Sequence, residues 1–427
     1  MKVALINPAW SFEGSTYFGC TAPHLPLELA YSKSLLERSG HATLLVDGPL
    51  LSLSNGEIAD KVSAFSPDMT VVTTAPSYLF WRCAPPELSI PREFLDLLGT
   101  RGGKRVVVGP HASVTPRTTL LKLNAGIAVR GECEETVAAL AESELENVTG
   151  IAIKSGDAIE VRGAPQAAKF VDAPALRWDD CYIHPHGHHH HRFDRTPDGP
   201  GAEVEASRGC PYACTFCAKI DFRDRYRRRE LPILLDEIDG LLQQGVTYIY
   251  FIDEIFLPNR PLLEALVERD VEFGVQTRID LWKPDMLALL GQAGCVSVEA
   301  GVESLTEEGR NALGKKCRLT TDELATLLIK ARQHIPFVQA NLINMAGDEA
   351  DMVTRWREQL RNAGVWANDP VPLYPYPSSP DYRRLFGEPD ENAWERAHSY
   401  YLEQFSRFSD IQDAHPLPLE ELEATCR

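Results

Sequence analysis

Positive charge is scarce in this 427-residue chain: 43 Lys and Arg stand against 61 Asp and Glu, a net charge of −18. Without a basic surplus, no broad surface can neutralise a phosphate backbone or an anionic bilayer. Nucleic acid and membrane are therefore excluded as main partners. Long hydrophobic runs are missing too. No segment reaches the ~18 apolar residues of a membrane span, and "MKVALINPAW" is too short in its apolar stretch for a signal peptide. These absences predict a cytoplasmic protein. In a reducing compartment its ten cysteines read as free thiols or ligands, not disulfides. No G-x-G-x-x-G follows the first strand-like segment, which removes an ordinary dinucleotide site. No repeat recurs along the chain, which removes a solenoid.

What is present is enough for packed cores: 44% of residues are apolar and 24% charged, and the length suggests two or three domains. Residues 1–165 alternate short apolar strands with amphipathic helices. The strands fall at 3–7, 43–47, 69–74, 105–109 and 126–131; the helices at 25–41, 56–65, 87–99 and 134–142. Near-continuous apolar strands separated by helices predict a parallel sheet covered on both faces, a doubly wound, flavodoxin-like or Rossmann-like domain. Ligands of such sheets bind at the carboxyl ends of the strands, here the loops 8–23, 75–86, 110–115 and 131–134. "GIAIKSGDAIEVRG" reads as a small hairpin, because Ser-Gly-Asp is turn chemistry. Residues 166–200 read as a His-rich linker.

From 201 to 374 the alternation resumes. Strands are expected at 203–207, 248–253, 271–278, 296–303, 337–346 and 370–374, with helices between them. Thr320 to Glu323 fits a capping box. Six strand–helix units predict a partial (β/α)6, TIM-like barrel with its chemistry at the C-terminal strand ends. Residues 375–427 form a small helical C-terminal extension. The fold class is thus α/β throughout.

Three of the cysteines cluster. Cys210, Cys214 and Cys217 lie in the loop leaving the first barrel strand, at C-x3-C-x2-C spacing and bracketed by Gly209 and Pro211. Thiolates are soft ligands that suit iron–sulfur clusters and zinc. Structural zinc takes four ligands, usually in two pairs; no second C-x2-C pair exists, although upstream histidines could complete a site. Three thiolates on a four-iron cluster would leave one iron open. The basic run Arg223–Arg229 that follows reads as a solvated face or as local contact to an anionic cofactor or substrate.

"RGCPYACTFC" (208–217) resembles the signature of radical S-adenosylmethionine (SAM) enzymes. The resemblance implies a [4Fe–4S] cluster on Cys210, Cys214 and Cys217. SAM would chelate the fourth iron and be cleaved to a 5′-deoxyadenosyl radical, after reduction by a donor such as flavodoxin or ferredoxin. Further motifs match in part. Phe216 stands where the family has an aromatic beside the adenine. "FIDEIF" (251–256) is similar to the second-strand acidic motif, which offers Asp253 and Glu254 to the methionyl amine. "QTRID" (276–280) is similar to the third-strand motif, with Arg278 meeting the carboxylate. "VEAGVES" (298–304) is similar to the fourth, with Glu299, Glu303 and Ser304 near the ribose and methionine.

The first domain resembles the cobalamin-binding domain that precedes the barrel in one large radical SAM class, through "LPLELAYSKSLLERSGHATLLVD", "FSPDMTVVTT", "VVVGPHAS" and "VRGECEET". The D-x-H-x-x-G motif of some cobalamin proteins is absent, and His111 lies outside that context, so the resemblance implies cobalamin without a protein ligand to cobalt, or a degenerate domain. The expected activity is methylation of an unactivated carbon in a small molecule. Alternatives are radical cyclisation or rearrangement, a methylthiotransferase-like enzyme with a second cluster on Cys20, Cys83 and Cys133, and a zinc-binding interaction protein. The run "HPHGHHHHR" (184–192) reads as a solvated linker, or as a lining of the active site that supplies a proton donor or a cobalt-side ligand.

Overall fold

A computed structural model describes residues 1–16, 23–76, 84–186, 198–405 and 415–424. Two sheets organise it. The first contains β1 (Lys2–Asn7), β2 (Ala42–Asp47), β3 (Met69–Thr73), β4 (Lys104–Val108), β5 (Ile127–Val129), β6 (Ile151–Ser155) and β7 (Ala158–Arg162). Their order is β2-β1-β3-β4-β5-β6-β7. The first five run parallel, which is the doubly wound order. The hairpin expected near 150–163 is β6 and β7, and it extends this sheet antiparallel to β5. Its turn places Gly156 at φ +59°, the backbone a two-residue hairpin loop needs.

Side-chain alternation explains why both faces of this sheet are dry. On β1, Val3 and Leu5 face one apolar cluster, and Ala4 and Ile6 face another. The second cluster packs against helices Asn55–Phe65 and Ser89–Leu98. The first cluster runs without a break into the second sheet, joining Val3, Leu5 and Val71 to Val204, Tyr250 and Val298. Burial at roughly 25 cal/mol per Å² therefore couples the two halves rather than stabilising each alone.

The second sheet is all parallel. It holds β8 (Gly201–Val204), β11 (Tyr248–Phe251), β12 (Glu272–Thr277), β13 (Cys295–Glu303), β14 (Phe337–Leu342) and β15 (Trp366–Ala367), in the order β15-β14-β13-β12-β11-β8. Between β8 and β11, a two-residue antiparallel ribbon pairs β9 (Ser207–Arg208) with β10 (Arg227–Arg228). The order is sequential and open-ended, a TIM-like partial barrel. The capping box at Thr320 is formed, with Glu323 closing it. No helix among the described residues is long and apolar enough to cross a membrane.

Three expectations need correction. The sixth strand is Trp366–Ala367, not 370–374. Pro370 and Pro372 lack the N–H a ladder requires, and Val371 makes only a single bridge to Ile343. The stretch read as the start of a linker is packed instead: Phe170, Leu176, Trp178, Tyr182 and Ile183 are buried in the shared core. The C-terminal extension is no outlying appendage. Its helices Ala393–Gln404 and Leu419–Ala424 fold back onto the first domain. There Glu423 accepts hydrogen bonds from the Leu88 N–H (2.8 Å) and Arg92 Nη1 (2.9 Å).

Candidate active site

The cysteine loop leaves the second sheet through the β9–β10 neck. Gly209 sits there at φ +80°, and a Cβ would lie 2.0 Å from the Arg225 carbonyl oxygen, so only glycine fits. Beyond it the loop is tied down at several points. Lys219 Nζ donates to the Cys210 carbonyl at 2.6 Å. The Thr215 N–H donates to the Leu313 carbonyl, and Thr215 Oγ1 to Asp381 Oδ2 at 2.9 Å, so the C-terminal extension helps hold the loop. Cys210, Cys214 and Cys217 then share one pocket of about 440 Å³ at the carboxyl ends of the parallel strands. Burial raises all three thiols, Cys217 furthest, to about 12; each of the other two pushes it up further. Metal binding must therefore displace their protons. They do not form a cage for a single ion: among the described residues, no three His, Cys, Asp or Glu side chains are so placed.

Five other predicted site residues line the same pocket: Phe216, Glu254, Arg278, Glu299 and Glu303. Arg278 forks onto Asp280 (2.7 and 3.1 Å) and lies 4.3 Å over the Tyr212 ring. Its remaining Nη1 is buried without a hydrogen-bond partner, as is Gln276 Oε1 on the same pocket wall. A buried unpaired donor and a buried unpaired acceptor each cost about 1–3 kcal/mol, which a ligand carrying the complementary groups would recover. Glu303 holds a left-handed backbone (φ +67°) where β13 slips register against β14, and its carboxylate takes Lys315 Nζ at 2.8 Å. Glu254 accepts the Gly209 N–H at 2.7 Å and faces Arg223; burial raises its carboxyl despite that arginine.

Asp253 and Ser304 lie outside this lining. Asp253 is turned back into the barrel, where it accepts from the Ala206 N–H and Ser207 Oγ; burial pushes its carboxyl up to about 8. Ser304 donates to Asp348 Oδ1 at 2.9 Å and serves the turn before helix Glu307–Ala312. Sequence reading missed Tyr212, Gln276, Lys315 and Tyr374, all on the pocket wall. The "CPYAC" and "QTRID" contexts carried a signal for the first two. Nothing local marked Lys315 or Tyr374.

At the edge of the first sheet, His111 follows Gly109 in the short helix Pro110–Val114. Its ring stacks 3.9 Å from Trp394, and its Nε2 lies 3.3 Å from the Pro86 carbonyl. Burial drives its pKa down to about 3, so the imidazole is neutral. One ring face is covered, which fits the absence of a histidine ligand from this motif. Of the three cysteines considered for a second cluster, Cys133 is buried 4.0 Å from Ser32 Oγ, and Cys20 and Cys83 lie outside the described residues. The histidine run divides similarly. His184 is exposed, but His186 is fully buried with Nε2 3.0 Å from Glu203 Oε2, not solvated. His188 to His191 lie outside the described residues.

The model of the radical SAM superfamily matches residues 204–360. That stretch is a radical SAM domain. A domain of this kind implies an enzyme with a [4Fe–4S] cluster and SAM, and the pocket fits both. Cys210, Cys214 and Cys217 all line it. Arg278 Nη1 and Gln276 Oε1 offer an unused donor and acceptor to an amino-acid group. Among curated relatives, an uncharacterized methyltransferase of Pyrococcus horikoshii is 25% identical over 74% of this chain and 68% of its own length. An anaerobic magnesium-protoporphyrin IX monomethyl ester cyclase of Cereibacter sphaeroides is 24% identical over 90% of this chain and 64% of its own. The chain thus spans about two thirds of these relatives. Among solved structures, the radical SAM methyltransferase TsrM of Kitasatospora setae, with cobalamin and a [4Fe–4S] cluster bound, has a TM-score of 0.69 at 18% identity, over 89% of this chain and 76% of its own. The cobalamin-dependent SAM radical enzyme OxsB has a TM-score of 0.67 at 17% identity, over 94% of this chain and 66% of its own. These two likenesses are of fold, and they extend past the radical SAM domain into the first domain.

Proposed function

We propose that this chain is a cobalamin-dependent radical SAM enzyme that methylates an unactivated carbon of a small molecule. The observation that carries the reading is the convergence of Cys210, Cys214 and Cys217 with Arg278, Glu299 and Glu303 on one pocket at the carboxyl ends of the barrel strands. The three thiolates hold the cluster. Arg278, already fixed by Asp280 and Tyr212, turns its free Nη1 to the SAM carboxylate. Gln276 and Glu254 would accept from the amine, Phe216 would meet the adenine, and Glu299 and Glu303 would hold the ribose. The two residues off the lining, Asp253 and Ser304, act by bracing the strand ends. When bound, the cluster with SAM supplies one-electron cleavage and a carbon radical, and cobalamin supplies a methyl group. The chain's own task is to orient these groups and exclude water. The cobalamin assignment is supported by the cofactor in the TsrM and OxsB structures and by the shared doubly wound first domain. Cobalamin would sit at that domain's strand ends without an imidazole from His111. The reductant is a flavodoxin- or ferredoxin-like donor.

One observation favours a second reading. The cyclase relative aligns over more of this chain than the methyltransferase relative does, 90% against 74%. A radical cyclisation without methyl transfer would use the same cluster pocket.

Anaerobic reconstitution with iron, sulfide and cobalamin tests these readings. The expected product carries the broad visible absorbance of an iron–sulfur cluster, lost in Cys214→Ala, and binds cobalamin stoichiometrically. With substrate, S-adenosylhomocysteine and methylated product appear. Deoxyadenosine with a cyclised product selects the second reading. Failure to bind cobalamin removes the methyltransferase, and colourless protein with tightly held zinc sinks both.

A further inference from the structure

The run R-D-R-Y-R-R-R (223–229) places five arginines within seven residues. Its buried members are not a solvated face. Arg223 and Arg229 are buried, and so is Arg208, two residues before Cys210. Arg208 donates from Nη1 to Glu132 Oε2 (3.0 Å) and Glu134 Oε1 (2.6 Å), and from Nη2 to Glu205 Oε2 (2.7 Å). Arg223 donates from Nη2 to Glu28 Oε1 (2.7 Å), and from Nη1 to Glu205 and Glu254. Arg227 forks onto Glu132. Arg208 also lies 4.5 Å over the Phe170 ring.

The geography of the carboxylates matters. Glu28 opens helix Leu27–Arg38, and Glu132 and Glu134 flank the start of helix Glu134–Glu142, all in the first domain. Glu205 and Glu254 belong to the barrel. Arg208 and Arg223 lie on the two legs of the cysteine loop and bind carboxylates of both domains at once. Glu254 completes the frame by holding the Gly209 N–H. A guanidinium buried this fully keeps its place only while its carboxylates do; losing one removes a charge-assisted hydrogen bond from a buried network.

We propose that Arg208 and Arg223 are positioning residues through which the first domain holds the neck of the cysteine loop, so that the seat of the three thiolates depends on that domain being docked. The inference rests on this loop holding the cluster, and is independent of which reaction follows.

Hydrogen–deuterium exchange on the full-length protein before cluster loading reads the coupling directly. Glu28→Gln and Glu132→Gln alter only first-domain partners, and neither residue lines the pocket. Glu160→Gln, in the exposed pair with Arg162, is the control for charge alone. Exchange across 209–226 should rise about tenfold or more in the first two and stay unchanged in the control. After loading, the reduced cluster's electron paramagnetic resonance spectrum should broaden or shift in the same two variants. Wild-type loop exchange and wild-type spectrum in folded variants would overturn the proposal. If Glu132→Gln does not fold, Glu28→Gln, whose carboxylate pairs with Arg223, decides. The wild type gives a further test: with rising urea, protection of 209–226 should disappear together with that of helix Leu27–Arg38. Loop protection that outlasts the helix would overturn the proposal. A wild type that takes up no cluster would instead count against the cluster assignment itself.

Discussion

The two parallel sheets present their carboxyl edges very differently. At the first, burial shifts titratable groups toward their neutral forms: the His111 imidazole is driven down to about 3, and the Asp47 and Glu87 carboxyls are raised to about 7. The C-terminal extension covers this edge with Trp394, whose Nε1 donates to Thr115 Oγ1. At the second edge, charges are kept and paired: Arg278 with Asp280, Lys315 with Glu303, Arg223 with Glu254. There a donor and an acceptor remain unused in a pocket. Among the described residues, the same topology thus supports one edge without close ion pairs at these groups and one edge with ion pairs in its pocket. The difference lies in which of the described loops carry ion partners into a pocket.

The sharpest way to break that contrast is to empty the charged edge. Arg278→Ala removes the buried, unpartnered Nη1 on the pocket wall, and SAM affinity in equilibrium dialysis should fall about 10- to 100-fold, the range for a charge-assisted hydrogen bond. Unchanged affinity would remove Arg278 from the cofactor site. Uncovering the neutral edge is next. Trp394→Ala deletes a buried stack and a hydrogen bond and should cost about 3–5 kcal/mol. Thermal melting should drop, and helix Leu419–Ala424 should lose exchange protection. Trp394→Phe, which keeps the stack, should recover most of the loss.

The smallest effect tests the low charge itself. Burial raises Glu87 from 4.5 to about 7, opposed by a Ser15 hydrogen bond. A raised carboxyl stabilises the fold fully below its ordinary pKa, and that contribution is lost as pH rises through about 7. Glu87→Gln should therefore match the wild type near pH 4.5 and melt at a higher temperature at pH 8. Equal melting temperatures at both pH values would show that Glu87 is not held neutral.

Much of the fold was readable from periodicity. The five parallel strands of the first sheet, the capping box at Thr320 and the turn in the β6–β7 hairpin all follow from local rules, because each depends on residues a few positions apart. The sixth strand does not follow apolar content, because Pro370 and Pro372 cannot donate to the ladder and Val371 alone bridges to Ile343. Cys210, Cys214 and Cys217 were legible for the same local reason: soft ligands at fixed spacing beside a glycine that no Cβ can replace. Arg278 and Glu303 were legible as charged residues at strand ends. Asp253 looked equivalent in the sequence, yet it faces the Ala206 N–H, since adjacent residues at a strand end project to opposite sides.

The amino-acid sequence alone determined the two alternating segments, the cysteine loop and the resemblance that names its chemistry. Only the tertiary structure decided that the arginine run is an interdomain clasp, that the extension roofs the first domain, and that His186 is buried against Glu203. The physical reason is distance along the chain. A guanidinium's partner at Glu28 or Glu132 lies 76 to 195 residues away, and no local pattern encodes which carboxylate will close on it once both are out of water.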